Sequence, residues 1–305
     1  KDLEDAAINS DVAAINSEYA TINSDHDDDG LDKQQPDSKS RPSDVANETL
    51  KEQRMSSAFP AKNYGQMLAE IVQDLPRTYS QNSSFQTQSC REAMKYILQM
   101  FVIYRPDIGY MQGMSYLAGE LYLVFGSEIQ AFVYFANLII TKPLFRAIYG
   151  NRDILNPKVL KRVGLLRSLF RANALDLYCH LSKLGVTLET VFIQWSVSMF
   201  GLLVGPSDIL NLIWDHFLTL GEVSIYRTAV AFLMLLDPKL RYADFAACQK
   251  IFRGRHSFTY SQIVAAIENV RLNVEFRFEL QKLERREASD DSLFEMAADT
   301  DHDAQ

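Results

Sequence analysis

Cysteine is scarce in this chain: Cys90, Cys179 and Cys248 stand far apart among 305 residues. An odd number without paired spacing argues against a disulfide framework and against a zinc site, so the chain reads as cytoplasmic. A long apolar run is missing too. The most apolar stretch, 121–140, is interrupted by Ser127, Glu128, Gln130 and Asn137, whereas a bilayer-spanning helix needs about 20 largely apolar residues. A pair of buried helices split near Gly126 is expected instead. The first residues are polar and acidic, without the basic start and apolar stretch of a signal peptide. No Gly-x-x-x-x-Gly-Lys-Ser/Thr phosphate loop occurs, so the chain should neither bind nor hydrolyse nucleotide by itself. No His-Glu-x-x-His occurs either, and no resident cofactor or metal is expected. Cys179 and His180 are sequence neighbours, but a nucleophile and its base usually meet through the fold; a core cysteine beside a partly exposed histidine is the reading.

Basic patches are also absent. The net charge of −8 is unevenly spread: residues 1–34 carry −8 and residues 287–305 carry −7, while 35–286 hold 29 bases against 22 acids. A mildly basic body therefore bears two acidic tails. Its Lys and Arg form no stripe interleaved with aromatics, which argues against nucleic-acid binding.

Three regions follow from texture. Residues 1–58 are rich in Asp, Ser, Asn and Gln and read as a disordered tail and linker. Inside them Ile8, Val12, Ile15, Tyr19 and Ile22 alternate at spacings of 4 and 3. That coiled-coil pattern spans only about two heptads and is diluted by poor helix formers. Asp25, Asp27, Asp29 and Gly30 imitate the start of an EF-hand loop, but the position that needs a bidentate Glu is Pro36; a solvated acidic run is the reading. Residues 59–283 carry apolar residues at helical spacing without period-2 alternation, an all-α body. Ser207 and Gly221 bracket one helix, another begins near Thr187, a third follows Gly109, and later ones cover 225–236 and 260–283. Trp195 and Trp214 fall on apolar faces and read as core. Residues 284–305 read as an acidic C-terminal tail.

Two short motifs carry chemistry. In the first, Ile71 lies at helical spacing from Met67 and Leu68, and Pro76 biases Leu75 away from helical geometry. A helix should end near Asp74, leaving Arg77 just past it as a projecting cation, or as a surface arginine paired back to Asp74. In the second, Gly109 and Gly113 bracket Gln112 where a helix begins, a place where side chains point outward and another backbone can approach. Alone, Gln112 reads more simply as a polar residue capping or solvating a helix start.

Taken together, the motifs resemble the TBC domain, the family of Rab GTPase-activating proteins. Ile71, Asp74, Arg77 and Thr78 match its Ile-x-x-Asp-x-x-Arg-Thr signature. Tyr110, Gln112 and Gly113 match its Tyr-x-Gln-Gly signature, about 30 residues on. Trp214 and Asp215 match its Trp-Asp helix. The resemblance covers about residues 62–252. It departs upstream: family members usually begin with a helical segment containing Arg and Trp, and residues 35–61 contain no Trp, which leaves the completeness of the N-terminal lobe open.

The resemblance implies a multi-helix domain of two lobes. It implies a GTP-bound Rab-family partner carrying its own Mg-GTP, with Arg77 as an arginine finger and Gln112 in place of the GTPase's own glutamine. Asp74, Thr78, Tyr110 and Gly113 would position the two fingers. It further implies work in vesicle trafficking, with peripheral association with endomembranes. A TBC fold that binds a Rab without catalysis is the alternative, and a scaffold that oligomerises through the N-terminal repeat is a third.

Overall fold

A computed structural model describes residues 64–150 and 156–287. The N-terminal repeat, the acidic run and most of both tails lie outside the described residues. Every regular element within them is helical.

The first packing group contains α1 (Tyr64–Asp74), a 3-10 turn (Ser83–Gln86), α2 (Gln88–Tyr104), α3 (Met114–Phe125) and α4 (Glu128–Thr141). Thr87 caps α2 by accepting from the Cys90 amide, and Ser127 caps α4 by accepting from that of Gln130. α3 ends at Gly126 and α4 follows at once, the expected split. α2 packs on α1, α3 and α4. The short α5 (Pro143–Tyr149) turns away from α4 by 87° and leads into the second group. Although α4 and α5 are apolar enough together, no single described helix is long and apolar enough to cross a membrane.

The second group contains α6 (Pro157–Asn173), α7 (Leu175–Lys183), α8 (Leu188–Val197), the single turn α9 (Gly201–Val204), α10 (Asp208–Leu220), α11 (Glu222–Leu240), α12 (Phe245–Arg253) and α13 (Tyr260–Asn269). A last helix, α14, occupies 274–287. α11 is the hub, packed by α6, α10, α12 and α13. Between the hub and α12 sits Trp195, fully buried among Phe200, Phe232 and Phe252, with its indole N–H donating to the Phe252 carbonyl at 3.1 Å. Burying a large apolar side chain of this kind stabilises the fold by about 1.5–3 kcal/mol each.

Some sequence expectations are corrected. Cys179 is exposed, because α7 turns Leu177 and Leu181 inward and Cys179 falls on the opposite side. Trp214 is only half-buried, since Ile209, Leu210, Ile213 and Phe217 form the inner face of α10. The helical stretch expected over 260–283 is broken at 270–273, where the Asn173 side chain accepts from the Arg271 amide at 2.8 Å.

Residues 284–287 continue α14 rather than leaving the body. Glu287 is buried against Arg162. The Arg162 guanidinium is itself fully buried, forked between the Glu222 carboxylate at 2.8 and 3.0 Å and that of Glu287 at 2.8 and 2.7 Å. Tyr226 donates to Glu222 at 2.6 Å. One cation thus fastens α6, α11 and α14 together.

Candidate functional site

The two motifs meet where the groups face each other. α1 ends at Asp74, as Pro76 requires, and the chain turns through Arg77 and Thr78, whose amides both donate to the Asp74 carbonyl. Tyr79 then adopts a positive φ of 46°, costly for a bulky residue. Its buried phenol packs beside Phe85 and Tyr116 and reaches Gly201 of the second group, where any Cβ would overlap it.

Asp74 is the hinge pin of the site. Its carboxylate is almost buried, with one oxygen paired to the Arg77 guanidinium and the other accepting from Tyr110 Oη at 2.7 Å. Burial, then the Asp74 hydrogen bond, hold the Tyr110 phenol above its ordinary ionisation range, so it remains a donor. Arg77 Nε also donates to the Gln73 carbonyl at 3.2 Å, yet the Arg77 side chain is 63% exposed. The surface pairing anticipated from the sequence is therefore present, in a side chain that still faces solvent.

Gln112 occupies the corner of a turn closed by Met114 N donating to Met111 O at 3.1 Å. It is exposed, and its carboxamide makes no hydrogen bond to any described residue. The next residue, Gly113, has φ +102°, and a Cβ there would collide with Val197 Cγ1 of α8. Only glycine allows this turn to lie against the second group. Val197 is fixed in turn by buried Tyr149 of α5, which donates to its carbonyl at 2.9 Å.

Ser115 ties the two motif loops together. Its buried hydroxyl lies 2.6 Å from Thr78 Oγ1, which itself lies 3.0 Å from the Asp74 carbonyl. In the shorter contact the Thr78 hydroxyl donates and the Ser115 hydroxyl accepts. Sequence reasoning missed Ser115; its place two residues after Gly113, just inside α3, was the available signal.

Arg77, Gln112, Asp74, Thr78 and Gly113 line one groove of about 730 Å³, and Tyr110 is buried behind it. The opposite wall is Thr190, Ile193, Gln194 and Val197 of α8, with Leu202 and Arg253 beyond. No local signal in the sequence marks that wall. Trp214 and Asp215 do not line the groove. Among the described residues no cluster of His, Cys, Asp and Glu could hold a metal ion.

The Rab-GTPase-TBC domain model matches residues 31–241. TBC1 domain family member 14 of Mus musculus is 30% identical over 222 residues, covering 71% of this chain and 30% of that protein. TBC1 domain family member 12 of Xenopus tropicalis is 31% identical over 176 residues, covering 57% of this chain and 25% of that protein. The chain thus spans less than a third of the length of these relatives. Among solved structures, the Ypt/Rab-GAP domain of Gyp1p superposes with a TM-score of 0.59 at 18% identity, covering 79% of this chain and 82% of that one. The Chlamydomonas flagellar RabGAP TBC domain gives 0.50 at 19% identity, covering 72% of each chain. At these identities the two structures speak for the helical fold alone.

Proposed function

This chain belongs to the Rab-GTPase-TBC domain family, and from that premise we propose that it accelerates GTP hydrolysis by a Rab-type GTPase, inserting Arg77 and Gln112 into the partner's nucleotide site. The observation that carries this reading is the sharing of one groove by two exposed polar side chains over one buried hydrogen-bonded base.

Hydrolysis of GTP spreads negative charge over the γ-phosphoryl oxygens and the bridge to the β-phosphate. A guanidinium suits that charge, being planar, permanently charged and forked toward phosphate oxygens. It has five N–H donors; Asp74 and the Gln73 carbonyl engage Nη2 and Nε, leaving donors on Nη1 and Nη2 to face the groove. Asp74 therefore acts as an aiming partner that holds Arg77 at the groove before the GTPase arrives. The Gln112 carboxamide, free of internal bonds, can accept from the attacking water while donating to a phosphoryl oxygen. Nucleotide and magnesium belong to the GTPase in this scheme. An arginine supplied in trans is worth about 10³–10⁵ in rate, roughly 4–7 kcal/mol of barrier.

The test is single-turnover GTP hydrolysis by a panel of Rab proteins, with this chain and with Arg77→Ala and Gln112→Ala. Strong stimulation of one or a few Rabs, lost in both variants, is expected; full activity in either variant overturns the assignment. One observation favours a second reading: the Arg77–Asp74 ion pair. If that pair keeps the guanidinium from turning to the γ-phosphoryl group, the chain binds without catalysis, and the panel shows no stimulation while a binding assay shows complexes with GTP-loaded Rab.

A further inference from the structure

The finger loops supply only one wall of the groove, and the other wall has unsatisfied chemistry of its own. Thr190, Ile193, Gln194 and Val197 fall at i, i+3, i+4 and i+7 on α8, so one face of that helix looks into the groove. Gln194 is half-buried there, and its carboxamide makes no hydrogen bond to any described residue. Arg253, the last residue of α12, is exposed on the same wall with no described carboxylate within 4.0 Å. Between them Ile193, Val197, Leu202 and Met111 give an apolar floor.

Charge on the two walls is unequal. Asp74 is neutralised by Arg77, which leaves Arg253 as uncompensated positive charge in the groove. An exposed guanidinium with no internal partner beside an apolar floor fits an incoming acidic side chain with an apolar neighbour.

We propose that the α8 wall, through Gln194 and Arg253, is the docking surface for a segment of the GTPase that presents a carboxylate beside an apolar side chain. The carboxylate pairs with Arg253, the apolar group settles on Ile193, Val197 and Leu202, and Gln194 bonds the polar backbone of the segment. This rests on the reading of the chain as a GTPase activator and assigns a different job to the second wall: Arg77 and Gln112 serve the reaction, whereas Gln194 and Arg253 serve binding and choice of partner.

The test is steady-state stimulation of the responsive Rab by the full chain and by Arg253→Ala, Arg253→Glu and Gln194→Ala, with Arg171→Glu on α6, outside the groove, as a charge control. Unchanged thermal unfolding establishes that each variant folds. Arg253→Ala should raise KM about tenfold with kcat unchanged, and Arg253→Glu further still. The salt dependence of KM should flatten in both, and Arg171→Glu should behave as the parent chain. Replacing the partner's carboxylate by lysine should restore binding to Arg253→Glu. An unchanged KM, or a fall in kcat at constant KM, overturns the proposal. If the unmodified chain stimulates no Rab, the catalytic reading fails. The docking surface is then judged by affinity for GTP-loaded Rabs: weakening by Arg253→Glu supports it, and equal or absent binding overturns it.

Discussion

Tyr110 and Asp74 are 36 positions apart in sequence, yet the Tyr110 hydroxyl donates to Asp74 Oδ2 at 2.7 Å. The same carboxylate holds Arg77 on its other oxygen. The loop that presents Gln112 and the turn that presents Arg77 are thus joined through one buried acid, so damage to either motif should be felt in the other.

Tyr110→Phe tests that coupling. It leaves Asp74 Oδ2 buried without its donor, a loss of about 1–3 kcal/mol. Chemical denaturation should show the lower stability. Single-turnover stimulation should fall with it under conditions where the protein is fully folded, because Asp74 can then swing and misdirect Arg77. Unaltered stimulation would show that Arg77 is aimed without Asp74.

Gly113→Ala should be more damaging than its size suggests. The residue has φ +102° and its Cβ would meet Val197, so both backbone and packing resist the change. Destabilisation above about 1 kcal/mol is expected, together with displacement of Gln112 from the groove. Adding Val197→Ala should relieve the collision but not the backbone strain, so the double variant should recover only part of the activity.

Glu120 gives a pH signature. Its carboxyl is buried on α3, and burial pushes its pKa up to about 7, against a smaller lowering by the neighbouring Tyr79 hydroxyl. Neither Tyr79 Oη nor Glu120 Oε1 reaches normal hydrogen-bond geometry. The unfolded chain releases this proton near the ordinary glutamate value of about 4.3. Between those two values the folded state keeps a proton that the unfolded state has lost. Stability from this group is therefore full below about pH 4.3 and is lost as pH rises through about 7. Glu120→Gln should remove that fall, gaining on the parent chain from pH 5 to pH 8 by an amount of the order of 3 kcal/mol at most. Parallel stability curves for the two proteins would show that Glu120 does not titrate in this range.

Arg162→Met should destabilise strongly, by about 3–5 kcal/mol, since it strands the two buried carboxylates of Glu222 and Glu287. Glu287→Gln, which keeps the shape and removes one charge, should cost less. Urea denaturation of the two variants beside the parent chain decides the order. If Glu287→Gln costs more than Arg162→Met, the guanidinium is not the fastener.

The legible parts of this protein were those governed by neighbours in sequence. Pro76 stopped α1 where expected, Ser207 and Gly221 bounded α10, and the two motifs came to one groove. What stayed hidden depends on contacts between distant residues. No periodicity says that Gln194 and Arg253 face Gln112, because the facing of α8 is set by Tyr149 and Val197 across the interior. The break at 270–273 carries no proline or glycine; Asn173, 98 positions away, holds the Arg271 backbone, while Asn273 caps α14 by accepting from the Phe276 amide. Cys179 misled because cysteine is usually a buried residue, whereas its helix face is decided by Leu177 and Leu181.

The match to the family stops at residue 241, but the structure does not. Trp195, inside the matched span, donates its indole hydrogen to the carbonyl of Phe252, outside it. Arg162 depends likewise on Glu287. A fragment cut at residue 241 would keep Arg77 and Gln112 while exposing the largest aromatic of its interior and leaving the buried Arg162 with Glu222 alone. The span that carries the family's motifs and the span that this chain needs in order to fold are different lengths of polypeptide, and the longer one belongs at the bench.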